Sequence, residues 1–303
     1  MSNTTVDPSY IPLPVPGTPI WNTLYEDYSS GLIGSWITIL LCGIALAQTY
    51  HYFNNYPTDS LRLKMLVWTL MILNVLHATF VCVAEYQYLV SGIGDRTASL
   101  TIGWAIVVTV EIHVTLAAAV LLYFTNMCTK MLAGKRVQKP LLVILLIIIA
   151  LHFGFGTATV VELARLNTLW DFESFKNVST IPMVAFQVAA DVSVAASVCY
   201  ALPRPSRQSF RQSREAIQTL VVYAVSRGIL TSFAAIVELV GLTIGSQGLW
   251  FAAADYIIAG LYMNSFLASL NSRNRIRQRM AGVVNVDSQL PASINHSRLL
   301  LKR

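Results

Sequence analysis

Charge is what this sequence has least of. Asp, Glu, Lys and Arg make up 12% of its 303 residues and hydrophobic residues 55%, so the charged share is about half that of a soluble globular domain. What remains is a single membrane domain with short loops rather than a string of soluble ones. Cysteine is scarce as well. Cys42, Cys82, Cys128 and Cys199 lie within or at the ends of apolar runs, which excludes a disulfide framework and leaves them as packing residues. Residues 1–30 hold five prolines, no Lys or Arg and no apolar core segment. They are neither a cleavable signal peptide nor a transit peptide. They read as a flexible tail, and the first apolar run then serves as an uncleaved signal anchor.

Familiar chemical motifs are missing too. No lysine stands in the middle of an apolar run, which excludes a retinal Schiff base. No Asp-Arg-Tyr follows the third run, where Asn126-Met-Cys-Thr129 stands, and the seventh has no Asn-Pro-x-x-Tyr. There is no Walker motif, no GxSxG and no aspartate-rich diphosphate motif. His77, His113 and His152 fall one each on three runs, without the HxxxH or HExxH pairing of a zinc helix. Interhelical hydrogen bonding is their plainer role, and no metal or cofactor is expected.

What is present is a set of seven long apolar runs, at 32–52, 65–89, 101–124, 140–163, 181–202, 217–242 and 249–270. Each is about the length that crosses a hydrocarbon core as a helix. The fold class expected is all-α, a polytopic membrane protein with a seven-transmembrane-helix bundle at 31–272. It lies between the tail at 1–30 and a basic, disordered tail at 273–303. Seventeen of the 21 Lys and Arg residues fall on the side of the 53–64, 125–139 and 203–216 loops and the C-terminal tail. Only Arg96, Arg165 and Lys176 fall on the other, and Arg227 is left over. The positive-inside rule then puts the N-terminus outside and the C-terminus in the cytoplasm, in a plasma membrane or endomembrane. The sequons at Asn3 and Asn177 lie on the outer side, as glycosylation requires. The basic excess is thus a topology signal and a contact for anionic headgroups, and nucleic acid is not an expected partner.

The sixth run carries a charge in its middle. Tyr223, Arg227, Thr231 and Glu238 recur at steps of four, four and seven, on one helical face. An arginine at mid-depth against lipid would cost several kcal/mol, so Arg227 is expected to face inward. Asp191 is its first expected partner and Glu111 its second. Such a pair either locks helices together or serves a site. Glu85, Glu162, Glu238 and Asp255 lie nearer the outer ends of four runs. They are solvated helix ends, or together a vestibule for a cation or a source of acid chemistry. Arg227, Asp191, Glu111, His77, Glu238 and Asp255 are the candidate ligand-binding residues.

Several blocks resemble a known family. They are Gly43-Ile-Ala-Leu-Ala-Gln-Thr-Tyr-His-Tyr-Phe53 with Tyr56-Pro-Thr-Asp59, the run from Asp191 to Leu202, Gly228-Ile-Leu-Thr-Ser232, and Leu261-Tyr-Met-Asn-Ser-Phe-Leu-Ala-Ser-Leu-Asn-Ser-Arg273. Over roughly residues 30–280 the chain is similar to the large basidiomycete family of seven-span membrane proteins known only as a domain of unknown function. The resemblance implies a fungal membrane protein and the fold, but no chemistry. In the last block, small Ser265, Ala268 and Ser269 suit close helix contact, and Asn271 reads as a helix terminator.

Two functions fit these residues. One is a receptor- or sensor-like protein binding a small lipophilic or cationic ligand, with basic cytoplasmic loops for a protein partner. The other is an integral-membrane enzyme of terpenoid-cyclase type, using a buried carboxylic acid on a lipid-soluble substrate. Transport is a third reading, weakened by the lack of inverted repeats.

Overall fold

In a computed structural model, residues 19–91, 102–166, 172–201, 228–243 and 250–289 are described, and no strand occurs among them. The helices are α1 (Pro19–Asn55), α2 (Leu61–Tyr86, continued by a π turn over Gln87–Ser91), α3 (Trp104–Met131), α4 (Gln138–Arg165), α5 (Thr180–Ala201), α6 (Gly228–Thr243) and α7 (Trp250–Gln289). A single helical turn, Phe172–Phe175, stands before α5. Six of these helices contain a stretch long and apolar enough to cross a membrane, and α6 is a shorter apolar helix. Large apolar side chains face outward, among them Trp36 at 61% exposure and Ile147 at 53%. A surface of that kind suits lipid rather than water.

Contacts along the helices give their directions. Gly34, Thr38, Leu41 and Gln48 of α1, and Tyr56 just past its end, meet Ala253, Tyr256, Gly260, Asn264 and Asn271 of α7 in the same order, so these two helices run parallel. Glu85 of α2 reaches Gly31 near the start of the described α1 contacts, and Trp104 at the start of α3 stacks edge-on against Phe80 of α2. Both pairs are therefore antiparallel. Gly156 of α4 lies against Val114, where a Cβ would approach Val114 Cγ1 to 2.6 Å, which only glycine permits. The neighbouring Gly154 faces open space. Helix α3 is central, packing on α2, α4, α5 and α7.

Turns end the helices where the sequence demands it. Gly134 has φ +82°, a left-handed value that glycine takes without strain, between α3 and α4. Pro57 opens the turn that separates α1 from α2. Helix α1 is described from Pro19 onward. Helix α7 runs on to Gln289, past the boundary at 272, and Asn271 does not terminate it. The Asn271 amide instead donates to the Gln48 carbonyl at 2.8 Å, so it joins two helices and leaves its own intact.

Candidate functional site

The polar residues of the bundle form three groups along its axis. The first lies toward the end where α1 and α7 begin. His113 of α3 and Asp255 of α7 share a hydrogen bond, Nδ1 to Oδ1 at 2.6 Å, with the histidine side chain fully buried. A carboxylate only accepts, so the proton of that bond sits on Nδ1 and Nε2 points elsewhere. His113 Nε2 has no partner. His77 of α2 is fully buried, feels the charges of Asp255 and His113, and has neither ring nitrogen bonded. Glu238 of α6 is 2% exposed, lies within electrostatic reach of Asp255, and leaves Oε2 without a partner. His152 of α4 contacts the Met183 carbonyl at 3.1 Å through Nδ1, and its Nε2 is unpartnered. One turn beyond Met183, the amide of buried Gln187 makes no hydrogen bond. Buried polar atoms are nearly always satisfied in folded proteins, and these side chains leave atoms on α2 to α6 without a protein partner. Among the described residues, no three His, Cys, Asp or Glu side chains converge closely enough to hold a metal ion.

The second group lies seven residues along α7 from Asp255, about 10 Å at helical rise. Asp191 of α5, fully buried, accepts from Thr231 Oγ1 of α6 at 2.6 Å and from the Tyr262 hydroxyl of α7 at 2.8 Å. These three side chains knit α5, α6 and α7 together. Arg227, the expected partner of Asp191, lies outside the described residues.

The third group closes the far end. Asp59, in the turn between α1 and α2, receives Arg273 Nη1 at 3.3 Å and Nη2 at 2.5 Å, and the Tyr52 hydroxyl at 2.9 Å. The Arg273 guanidinium also lies 4.5 Å over the Tyr56 ring, while the Tyr56 hydroxyl donates to the Asn271 carbonyl. Burial acts to raise the Asp59 pKa. The hydrogen bonds from Arg273 and Tyr52, with the Arg273 and Lys64 charges, outweigh it and hold the carboxyl below its ordinary range.

The other sequence candidates fall as follows. Glu111 is half-buried, and its near contact is Thr115 Oγ1 at 3.4 Å on its own helix, away from the His113–Asp255 pair. Glu85 is buried against Gly31 of α1, where a Cβ would sit 2.6 Å from its Oε1. Glu162 is 42% exposed and pairs with Arg165 at 3.6 Å, apart from the other acids. Asn177 is exposed in the turn before α5, and Asn3 lies outside the described residues. The sequence offers His113 as a metal ligand or an interhelical hydrogen-bonding group, the second of which its bond to Asp255 makes it, but not as a member of the candidate site. Full burial at α3 positions on several sides is the signal for it, and that belongs to a central helix rather than to any sequence period.

Residues 187–275 match the model of a family of unknown function (DUF6534). The matched segment carries Asp191, Glu238 and Asp255, whereas His77 and His113 lie before it. No curated protein matches the chain, and no solved structure does.

Proposed function

We propose that this integral membrane protein is a receptor- or sensor-like seven-helix protein. It binds a small, largely apolar ligand at His77, His113, Glu238 and Asp255. The observation that carries the reading is the set of unpartnered buried atoms, His77 Nδ1 and Nε2, His113 Nε2 and Glu238 Oε2, on residues that include one member of a buried His113–Asp255 pair and two within electrostatic reach of it. In a membrane interior each such atom costs free energy until a ligand or water meets it. Asp191 belongs in this reading to the adjoining layer and Glu111 to its margin, and Arg227 is kept as the partner of Asp191 that the sequence suggests. The seven-crossing count takes α6 together with the preceding apolar residues 217–227 as one span. It agrees with the resemblance to the fungal family. The basic excess puts the N-terminus outside, so the site lies in the outer half of the bilayer, with Asn177 glycosylated and the basic far end facing a cytoplasmic partner.

The test is mass spectrometry of the full chain carried from its native membrane into lipid nanodiscs. A discrete small-molecule adduct is expected on the wild-type chain. It should be absent from the His113→Leu/Asp255→Leu double variant, in which an apolar pair replaces the ionic one and the fold is retained. A bare wild-type chain, folded by its thermal transition, would sink the reading.

One observation favours the enzyme alternative. A histidine with Nδ1 tied to a carboxylate and Nε2 free has the form of a general base. If the adduct is chemically converted on the protein, His113→Gln should abolish conversion while the adduct still binds.

A further inference from the structure

Resting on the ligand-binding reading above, we infer that the ligand is a neutral lipophilic alcohol whose hydroxyl is held between His152 of α4 and Gln187 of α5. His152 Nδ1 meets the Met183 carbonyl at 3.1 Å. A carbonyl only accepts, so Nδ1 carries the proton, and Nε2 of the neutral ring is a bare acceptor. That Nε2 is buried and unpartnered. In an α-helix the carbonyl of residue 183 points along the axis toward the N–H of residue 187. The imidazole therefore lies beside the turn that carries Gln187. The Gln187 side chain is fully buried, and neither its Nε2 nor its Oε1 makes a hydrogen bond. An acceptor on α4 and a donor with an acceptor on α5 thus stand unmet within one helical turn.

Packing ties this place to the His113–Asp255 pair. His152 and Gly156 lie four residues apart on one face of α4, and Gly156 packs on Val114, the neighbour of His113. His152 is thus on the side of α4 that meets α3, about 6 Å along the axis from that contact. The walls here are apolar, with Val114 and Ala117 of α3, Ile149 of α4 and Val184 of α5 all buried. The polar group of the ligand must both donate and accept. An ammonium cannot accept from the Gln187 amide, and a carboxylate or an ether cannot donate to an imidazole. A hydroxyl is the smallest group that does both. It donates to His152 Nε2 and accepts from Gln187 Nε2. Water makes the same bonds, so an alcohol displaces it without losing one and adds apolar contact with the walls.

The experiment uses the full chain in phosphatidylcholine nanodiscs with three probes: 1-octanol, its isomer 1-methoxyheptane, which accepts but does not donate, and octylammonium chloride. Binding is followed by the concentration dependence of Tm and by calorimetry. Octanol should bind saturably, and the ether and the ammonium should not. Gln187→Leu should weaken octanol by about tenfold or more. His152→Phe should act in the same direction, and Glu162→Gln, outside the site, should leave binding unchanged. Without ligand, Gln187→Leu should melt at or above the wild-type Tm, because it removes an unmet amide, and Gln187→Met repeats the test with an unbranched side chain. A clearly lower ligand-free Tm in both variants means that the amide is already bonded within the protein, and overturns the inference. Equal binding of octanol and the ether, or wild-type octanol affinity in Gln187→Leu, overturns it too. Should octylammonium alone bind saturably and lose its site in Asp255→Asn, the ligand-binding reading stands and the alcohol falls. Should no probe bind, the alcohol again falls, and the native-membrane adduct separately decides the broader reading.

Discussion

Asp59 shows how a single residue outside the spans ties the bundle shut. Its side chain is 17% exposed and that of Arg273 33%, and the bond between them joins the turn between α1 and α2 to the end of the apolar stretch of α7. Loss of one partner leaves a guanidinium short of its acceptor, so Asp59→Asn should destabilise the detergent-solubilised protein by about 1–3 kcal/mol. The pH dependence has a definite sign. The folded carboxyl is held below its ordinary range, so its contribution is complete above the unfolded value of about 3.9 and fades as pH falls through the lower folded value. The Tm gap between wild type and Asp59→Asn should therefore be widest near neutral pH and narrow below about pH 4. A constant gap would mean that the carboxylate charge is not what matters. At this scale the sequence was legible in part. His77, Glu238 and Asp255 could be picked out because a charge or imidazole inside an apolar run stands out. On α3 the sequence singles out Glu111, yet it is His113 that meets Asp255, because only the fold says which side of α3 faces α7.

Among the elements, α1 and α7 make the closest parallel pair, and small residues set their spacing. A Cβ on Gly34 would stand 2.8 Å from the Ala253 Cα, a backbone atom that cannot swing aside, and one on Gly260 would stand 3.0 Å from Leu41 Cβ. Between these contacts Thr38 donates to the Tyr256 carbonyl and Asn264 to the Leu41 carbonyl, both bonds that a wider spacing would break. Gly43, on the same helix, has nothing within 4 Å of its Cβ position. Gly34→Leu is thus expected to lower stability by about 1–3 kcal/mol or more through overpacking, and Gly43→Leu to leave it nearly unchanged. Thermal unfolding of the two variants in one detergent decides it, and equal Tm values would mean that α1 does not lie against α7. The runs that became α2 to α5 were legible in the sequence to within a few residues, save the end of α3, which runs on from 124 to Met131, because a helix is the one element that satisfies its own backbone in lipid. Their partners were not legible. Apolar residues cover every side of α4, for example, so no stripe announces the face that meets α3.

For the whole molecule, the unequal ends of the bundle lead to a prediction about its place in the membrane. Arg62, Lys64, Lys130, Lys135, Arg136, Lys139 and Arg273 stand at the far end of the described bundle, against Arg165 and Lys176 at the end where α1 begins. Such asymmetry orients a multispan protein with its basic end in the cytoplasm. Two exposed turn residues report the ends independently of any glycan. Val178 is 69% exposed in the turn before α5, and Ala133 is exposed in the turn after α3. In a background where Cys42, Cys82, Cys128 and Cys199 are replaced by alanine, Val178→Cys should react with a membrane-impermeant maleimide on intact cells. Ala133→Cys should react only after permeabilisation. Glycosidase should also shift the mobility of the protein from a eukaryotic host, and Asn3→Gln with Asn177→Gln should abolish the shift. A missing shift alone would not invert the orientation, because Asn177 stands three residues before α5 begins at Thr180, where a glycan must compete with the bilayer surface for room. Labelling in the opposite order would invert it. The His113–Asp255 site would then open toward the cytoplasmic leaflet, and its ligand would have to come from inside the cell.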